Sequence, residues 1–209
     1  SQAPNAAVND AARLQELPRF RCPSDFSNPQ PAAGGAVNYV PNKGTSIGWR
    51  DASANGVMFF MSAVRFRDIV DGTSNTAAFS ERMVTDASNG ILSPDSDVFL
   101  SGDDPQNLDE AIQFCDAVNI DDLATQFPNF MGAPWIDGKN AYQHVNVPNA
   151  RSCAFQPARK ASMGANSRHA GGVHVLLADG AVRFASENVD LGLWRSLGTR
   201  ADGEVIGDF

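Results

Sequence analysis

The sequence predicts a single α+β domain with an antiparallel sheet and long irregular loops. Three observations predict it. Apolar residues alternate on both sides of Asp179-Gly180, which reads as a β-hairpin. Helical periodicity is confined to short stretches at 8–17, 105–118 and 190–197. The 18 Gly and 12 Pro among 209 residues imply many turns and long connections. No repeat, low-complexity tract or linker divides the chain. Residues 1–209 are therefore expected to form one head, with 1–16 as an N-terminal arm or short helix and 167–209 as a C-terminal hairpin and tail.

In chain order, V-N-D-A-A-R-L-Q-E-L at 8–17 puts Val8, Ala11, Leu14 and Leu17 on one helical face, and Pro18 ends it. Residues 22–56 are loop-rich, with a short extended piece at 36–40. Residues 56–70, beginning G-V-M-F-F-M-S-A-V-R-F, carry the strongest early strand signal. A turn through Asp71, Gly72, Thr73, Ser74 and Asn75 leads to a second strand at 76–84. The stretch 86–124 is acidic and broken. Within it, 105–118 reads as a helix with Pro105 in its first turn, Asp104 as cap, and Leu108, Ile112, Cys115 and Val118 on one face. Residues 125–166 read as irregular.

The hairpin runs Val173 to Ala178, turns at Asp179-Gly180, and returns from Ala181 to Ser186. A two-residue turn pairs Leu177 with Val182 and Val175 with Phe184, so these four share an apolar face. His174, Leu176 and Arg183 fall on the other face. His174 then reads as a strand residue. His169 reads as a loop residue that fixes the strand entry, with metal ligation as the competing role. Asn188 or Asp190 caps a final helix that stops at Gly198.

Composition excludes several classes. A net charge of −8 argues against nucleic acid and against a polybasic membrane contact. The longest apolar run, at 57–64, is far shorter than the ~20 residues of a membrane span. Thirteen Phe against two Tyr suit buried rings. No G-x-S-x-G is present, and nothing near Cys22 in the sequence activates it, so no enzyme is expected. Three cysteines allow one disulfide and a free thiol, or three buried thiols. The long loop holding Cys153 would be tied by a bond to Cys115, with Cys22 as the competing partner.

The order of motifs resembles a family of bacterial secreted proteins with a prepilin-type N-terminal segment. The matching stretches are L-P-R-F-R-C-P-S-D at 17–25, D-G-T-S-N-T at 71–76 with S-E at 80–81, V-P-N-A-R-S-C at 147–153, D-G-A-V-R-F at 179–184 and G-T-R-A-D-G-E-V-I-G-D at 198–208. His169 followed by nine residues and Asp179-Gly180 matches that family's C-terminal pattern. The resemblance implies a pilin or pseudopilin-like head, secreted, at the cell surface or periplasmic, with Cys22, Asp71, Gly72, Glu81, His169, Asp179 and Gly180 as motif residues. An exported location favours the Cys115–Cys153 bond. The family's hydrophobic N-terminal helix has no counterpart here, so a sheet face is expected to be left open.

Two functions follow as expectations. One is a non-catalytic structural or assembly protein that acts through a protein partner or copies of itself. The other is a sugar- or solute-binding module using loop 125–150 with Trp135, Tyr142 and His144; the family sometimes carries a solute-binding label. Pseudopilin heads of the kind resembled hold calcium, and the richest oxygen cluster here is Asp95, Asp97, Asp103 and Asp104. An acidic solvated loop explains the same residues.

Overall fold

A computed structural model describes residues 6–27, 31–127 and 131–204. Its strands are β1 (Tyr39–Pro41), β2 (Ala77–Glu81), β3 (Val98–Ser101), β4 (Ser152–Phe155), β5 (Lys160–Ser162), β6 (Gly172–Leu177) and β7 (Val182–Ser186). Its α-helices are α1 (Asp10–Arg13), α2 (Leu108–Asp116) and α3 (Leu191–Gly198). The expected α+β class is found. One sheet, in the order β1-β2-β6-β7, is antiparallel throughout. The second, β3-β4-β5, pairs β3 and β4 in parallel.

Each sheet has its own core. Val40, Ala77, Val173, Val175, Leu177 and Ala185 pack with Tyr142 and with Trp194 and Leu197 of α3. Asp190 starts that helix by accepting the Leu193 amide at 2.9 Å. Around the second sheet, Ala111 and Cys115 of α2 meet Phe99, Cys153 and Phe155. Cys115 and Cys153 form the disulfide and Cys22 is free and buried. The half-cystines are 38 residues apart, a loop whose closure stabilises by about 4 kcal/mol on chain-entropy grounds.

The seam between the sheets is polar. Arg82, one residue past β2, is fully buried. Its Nη1 donates to Ser152 Oγ and to the Gly164 carbonyl, both at 2.8 Å, and its Nη2 to the Ser96 carbonyl at 3.4 Å. Desolvation lowers its pKa to about 10, opposed by the charge of Asp97. Arg82 is thus a cation at neutral pH that grips the start of β4 from the end of β2.

The hairpin stands, but its register differs from the expected one. Leu177 donates to the Ala181 carbonyl at 2.8 Å and Gly180 to the Leu177 carbonyl at 3.0 Å, so three residues form the turn. Gly180 closes it at φ +93°, where a side chain would be strained. The Ala178 and Asp179 amides are taken by the Thr76 and Thr73 carbonyls of the 71–76 turn, which holds the longer loop in place. Leu176 therefore pairs with Val182 and His174 with Phe184. A one-residue slip turns β7 over. Val182 (62% exposed) and Phe184 (43%) face out, and Ala185 is buried in their place.

Other expectations are corrected for local reasons. No strand forms at 56–66: the Val57 and Met58 amides share the Asn42 carbonyl, and Arg200 occupies the Ala54 and Gly56 carbonyls. The first helix shrinks to α1, leaving Val8 and Leu14 exposed, because the Arg13 and Ala12 carbonyls bind the Gly35 amide and Trp135 Nε1. Asn107, not Asp104, caps α2, accepting the Glu110 amide at 2.9 Å, while Asp104 pairs with Lys160 at 2.7 Å. Pro105 lies outside that helix. Loop 125–166 contains β4 and β5.

The register has a direct test. Val182→Lys should change unfolding free energy in urea by less than about 0.5 kcal/mol. Ala185→Asp, which buries an unpaired charge, should cost about 3 kcal/mol or more. Equal costs at 182 and 185 would contradict the register.

Candidate functional site

Cross-strand pairing lays two rows across the outer face of the four-stranded sheet. Pro41, Phe79, Leu176 and Val182 form one row, a run of apolar side chains. Tyr39, Glu81, His174 and Phe184 form the other. The inner face is closed by the Trp194 core, whereas this face ends in the exposed Val182 and Phe184. The His174 and Phe184 rings meet edge to face with centroids 5.3 Å apart. At the rim, the Arg168 guanidinium lies 4.0 Å from the centroid of the exposed Phe26 ring.

Around Glu81 in the second row, the motif residues Cys22, Glu81 and His169 converge. C-P-S-D is a turn fastened to the sheet: the Asp25 amide donates to the Cys22 carbonyl at 3.0 Å, and the Cys22 amide to Asn38 Oδ1 at 3.0 Å. Burial raises the Asp25 pKa, but hydrogen bonds from Ser27, Val84 and Asn38 outweigh it and hold the carboxyl below its usual range. His169 is set by its own amide, which donates to Ser167 Oγ at 3.1 Å, while that hydroxyl donates to the Gly172 carbonyl. Gly172 admits no side chain, since a Cβ there would lie 2.1 Å from the Ala185 carbonyl oxygen.

Glu81 Oε1 lies 3.2 Å from His169 Nε2, and Cys22 Sγ lies 3.6 Å from the same nitrogen. Glu81 Oε2 accepts the His174 amide at 2.8 Å and faces His174 Nδ1 at 3.3 Å. Burial, followed by the nearby Cys22 and Glu81, raises the Tyr39 pKa. A nucleophile–base–orienter relay needs the thiol and the carboxylate on opposite nitrogens of the imidazole. Here both meet Nε2, so the three ligand-type atoms point at one spot.

The other motif residues tie chain segments. The Asp71 carboxylate accepts the Asp202 amide at 2.9 Å and the Gly203 amide at 2.8 Å, joining D-G-T-S-N-T to the C-terminal A-D-G. Gly72 follows at φ +98°. Asp179 Oδ1 accepts the Ala181 amide. Residues 205–208 of the last motif lie outside the described residues.

The four acidic residues expected to hold calcium have separate partners. The Asp95 carbonyl accepts from Asn166, Asp97 Oδ2 accepts the Ser93 amide at 2.7 Å, Asp103 accepts from Ser101 Oγ at 2.6 Å, and Asp104 pairs with Lys160. Among the described residues, the group of three Cys, His, Asp or Glu side chains whose ligand atoms lie within 4.8 Å of one another is Cys22, Glu81 and His169.

Trp135, Tyr142 and His144 do not form a binding surface. Tyr142 and His144 are fully buried: His144 faces Tyr142 Oη at 2.9 Å through Nε2 and the Trp194 carbonyl at 2.7 Å through Nδ1. Trp135 donates to the Ala12 carbonyl. Loop 125–150 instead helps line a cleft of about 790 Å³, contributing Phe127, Asp137 and Lys139 opposite Lys43, Trp49 and Phe60. Burial lowers the Lys43 pKa to about 8, opposed by Asp51. The sequence reading missed both this cleft and Arg82. The aromatic run at 56–66 was the available signal for the cleft.

The fold and the site define a disulfide-tied α+β fold in which motifs distant in sequence meet. A family model described as a protein of unknown function (DUF1559), with the short name SBP_bac_10, matches residues 1–192, and the chain belongs to that family. Its short name carries a solute-binding label. No curated protein and no solved structure matches the chain. No helix among the described residues is long and apolar enough to cross a membrane.

Burial lowers the His144 pKa to about 3, with the Trp194 carbonyl opposing. Between about 6.5 and about 3 the unfolded chain binds a proton at this site and the folded chain does not. Stability is therefore lost as pH falls through that window, by up to about 1.4 kcal/mol per pH unit. Asp97, which burial pushes up to about 6, acts in the opposite sense between about pH 4 and 6. His144→Gln, less stable overall, should show a shallower acid limb in a plot of unfolding free energy against pH. Parallel limbs in the two proteins would contradict this role.

Proposed function

We propose that the chain is the non-catalytic head of a pilin-like extracellular protein, and that its open sheet face docks an apolar helix from a protein partner or another copy. The observation that carries this reading is the outer row Pro41, Phe79, Leu176 and Val182, with Phe184 beside it. Alternation normally turns polar side chains outward on a solvated face, and here the row is apolar and ends exposed. A helix with its own apolar stripe has the shape and chemistry to cover it. The disulfide supports an oxidising compartment such as the periplasm or cell exterior. The net charge of −8 supports a protein partner over nucleic acid.

A second reading has its own observation. The cleft of about 790 Å³ combines aromatic walls with Lys43 and Lys139, and its volume falls in the usual ligand range. It suits a small solute with a ring and an acidic or hydroxyl group.

Photo-crosslinking separates the two. A benzophenone amino acid at Val182 or Phe184, introduced in producing cells, should give an adduct whose mapped peptide is an apolar helix. The same probe at Gln113, exposed on α2, should give none. No adduct at 182 and 184, together with saturable sugar binding that quenches Trp49 fluorescence, would reject docking and favour the cleft.

A further inference from the structure

We propose that Cys22, Glu81 and His169 form a zinc site, independent of whether the outer face docks a helix. A tetrahedral zinc with bonds of about 2.3 Å to sulfur and about 2.0–2.1 Å to nitrogen and oxygen sets ligand separations of about 3.6 Å for S to N and about 3.4 Å for N to O. The observed separations at His169 Nε2 are 3.6 Å to Cys22 Sγ and 3.2 Å to Glu81 Oε1. One imidazole nitrogen has one lone pair or one proton, so without a cation it meets the thiol and the carboxylate only by sharing it. A cation at their common centre satisfies all three.

The surroundings suit a metal centre. Glu81 Oε2 is held by the His174 amide, leaving Oε1 turned to the centre, and the Cys22 backbone is fixed by Asn38. Such supporting bonds orient ligands before the metal arrives. Cys22 and Glu81 are buried, while His169 and His174 are partly exposed, so the fourth position opens toward solvent on the His174 side. Thiolate with imidazole selects zinc over calcium, whose ligands are oxygens. The site would staple three segments distant in sequence: the C-P-S-D turn, the end of β2, and the approach to β6.

The test uses the purified chain, stripped with chelator and titrated with zinc or cobalt chloride. Expected are one zinc per chain, a cobalt spectrum with a near-ultraviolet thiolate charge-transfer band, and a Tm rise of roughly 5–10 °C when free zinc exceeds Kd a hundredfold. Cys22→Ser and His169→Gln should lose the charge-transfer band or weaken zinc binding by more than about 100-fold, while Asp97→Asn keeps both. The cobalt band is read in the unmodified protein, so a misfolded variant does not decide the matter. Absence of the thiolate band in the unmodified chain, or zinc binding unchanged in a folded Cys22→Ser protein, would overturn the site. A calcium-induced Tm rise with no zinc response would overturn it as well.

Discussion

A guanidinium buried between two sheets is expensive, and the rest of this molecule depends on how Arg82 is held: both Nη groups are hydrogen-bonded, while Nε has no partner among the described residues. Leaving such a charge without partners costs several kcal/mol. Arg82 meets Ser152 at the head of β4, the Gly164 carbonyl after β5 and the Ser96 carbonyl before β3. It can do so because its own amide is anchored to the Asn38 carbonyl at 2.7 Å, just ahead of β1. Each contact lies on a different segment. Strand alternation then assigns the neighbours: Ser80 turns inward and donates to the His174 carbonyl, while Glu81 turns outward toward His169 and His174. Three consecutive residues thus tie one sheet together, join it to the other and prepare the site.

The legible part of the fold was the part governed by local chemistry. Asp190 as a cap, the apolar stripe of α2 and the presence of a hairpin about Asp179-Gly180 depend on neighbours in sequence, and all are found, although the turn has three residues rather than two. The failures are tertiary. The aromatic run at 56–66 has strand-like composition, but the Gly56 carbonyl at its start is claimed by Arg200 from the far end of the chain, and the Val57 and Met58 amides by the Asn42 carbonyl. The register of β7 was set by Thr73 and Thr76, a contact with a turn a hundred residues earlier. β4 and β5 were invisible because both are short and almost wholly buried, so their residues carry no alternation to read.

The site was legible as a set of residues but not as an arrangement. Cys22, Glu81 and His169 were marked by the resemblance of their motifs, and only the fold shows them sharing one point. Asp71 and Asp179 were marked in the same way and prove to be joints, Asp71 through its carboxylate and Asp179 through its backbone amide to the Thr73 carbonyl. Tyr142 and His144 looked like a binding loop because aromatic and imidazole side chains serve equally well inside a core. The free chemistry therefore sits on the outer sheet face and at its end, beside the row of apolar side chains that the proposed partner would cover.

Native-state hydrogen exchange tests most directly whether Arg82 joins the two sheets into one unit. In the unmodified chain, amides of β4 and β6 should open with the same free energy, the signature of one cooperative unit. In Arg82→Met, the β3-β4-β5 amides should open at least about 2 kcal/mol more easily than those of β6 and β7, splitting the molecule into two exchange classes. A variant whose amides keep the unmodified pattern within about 0.5 kcal/mol would contradict the central place given to Arg82.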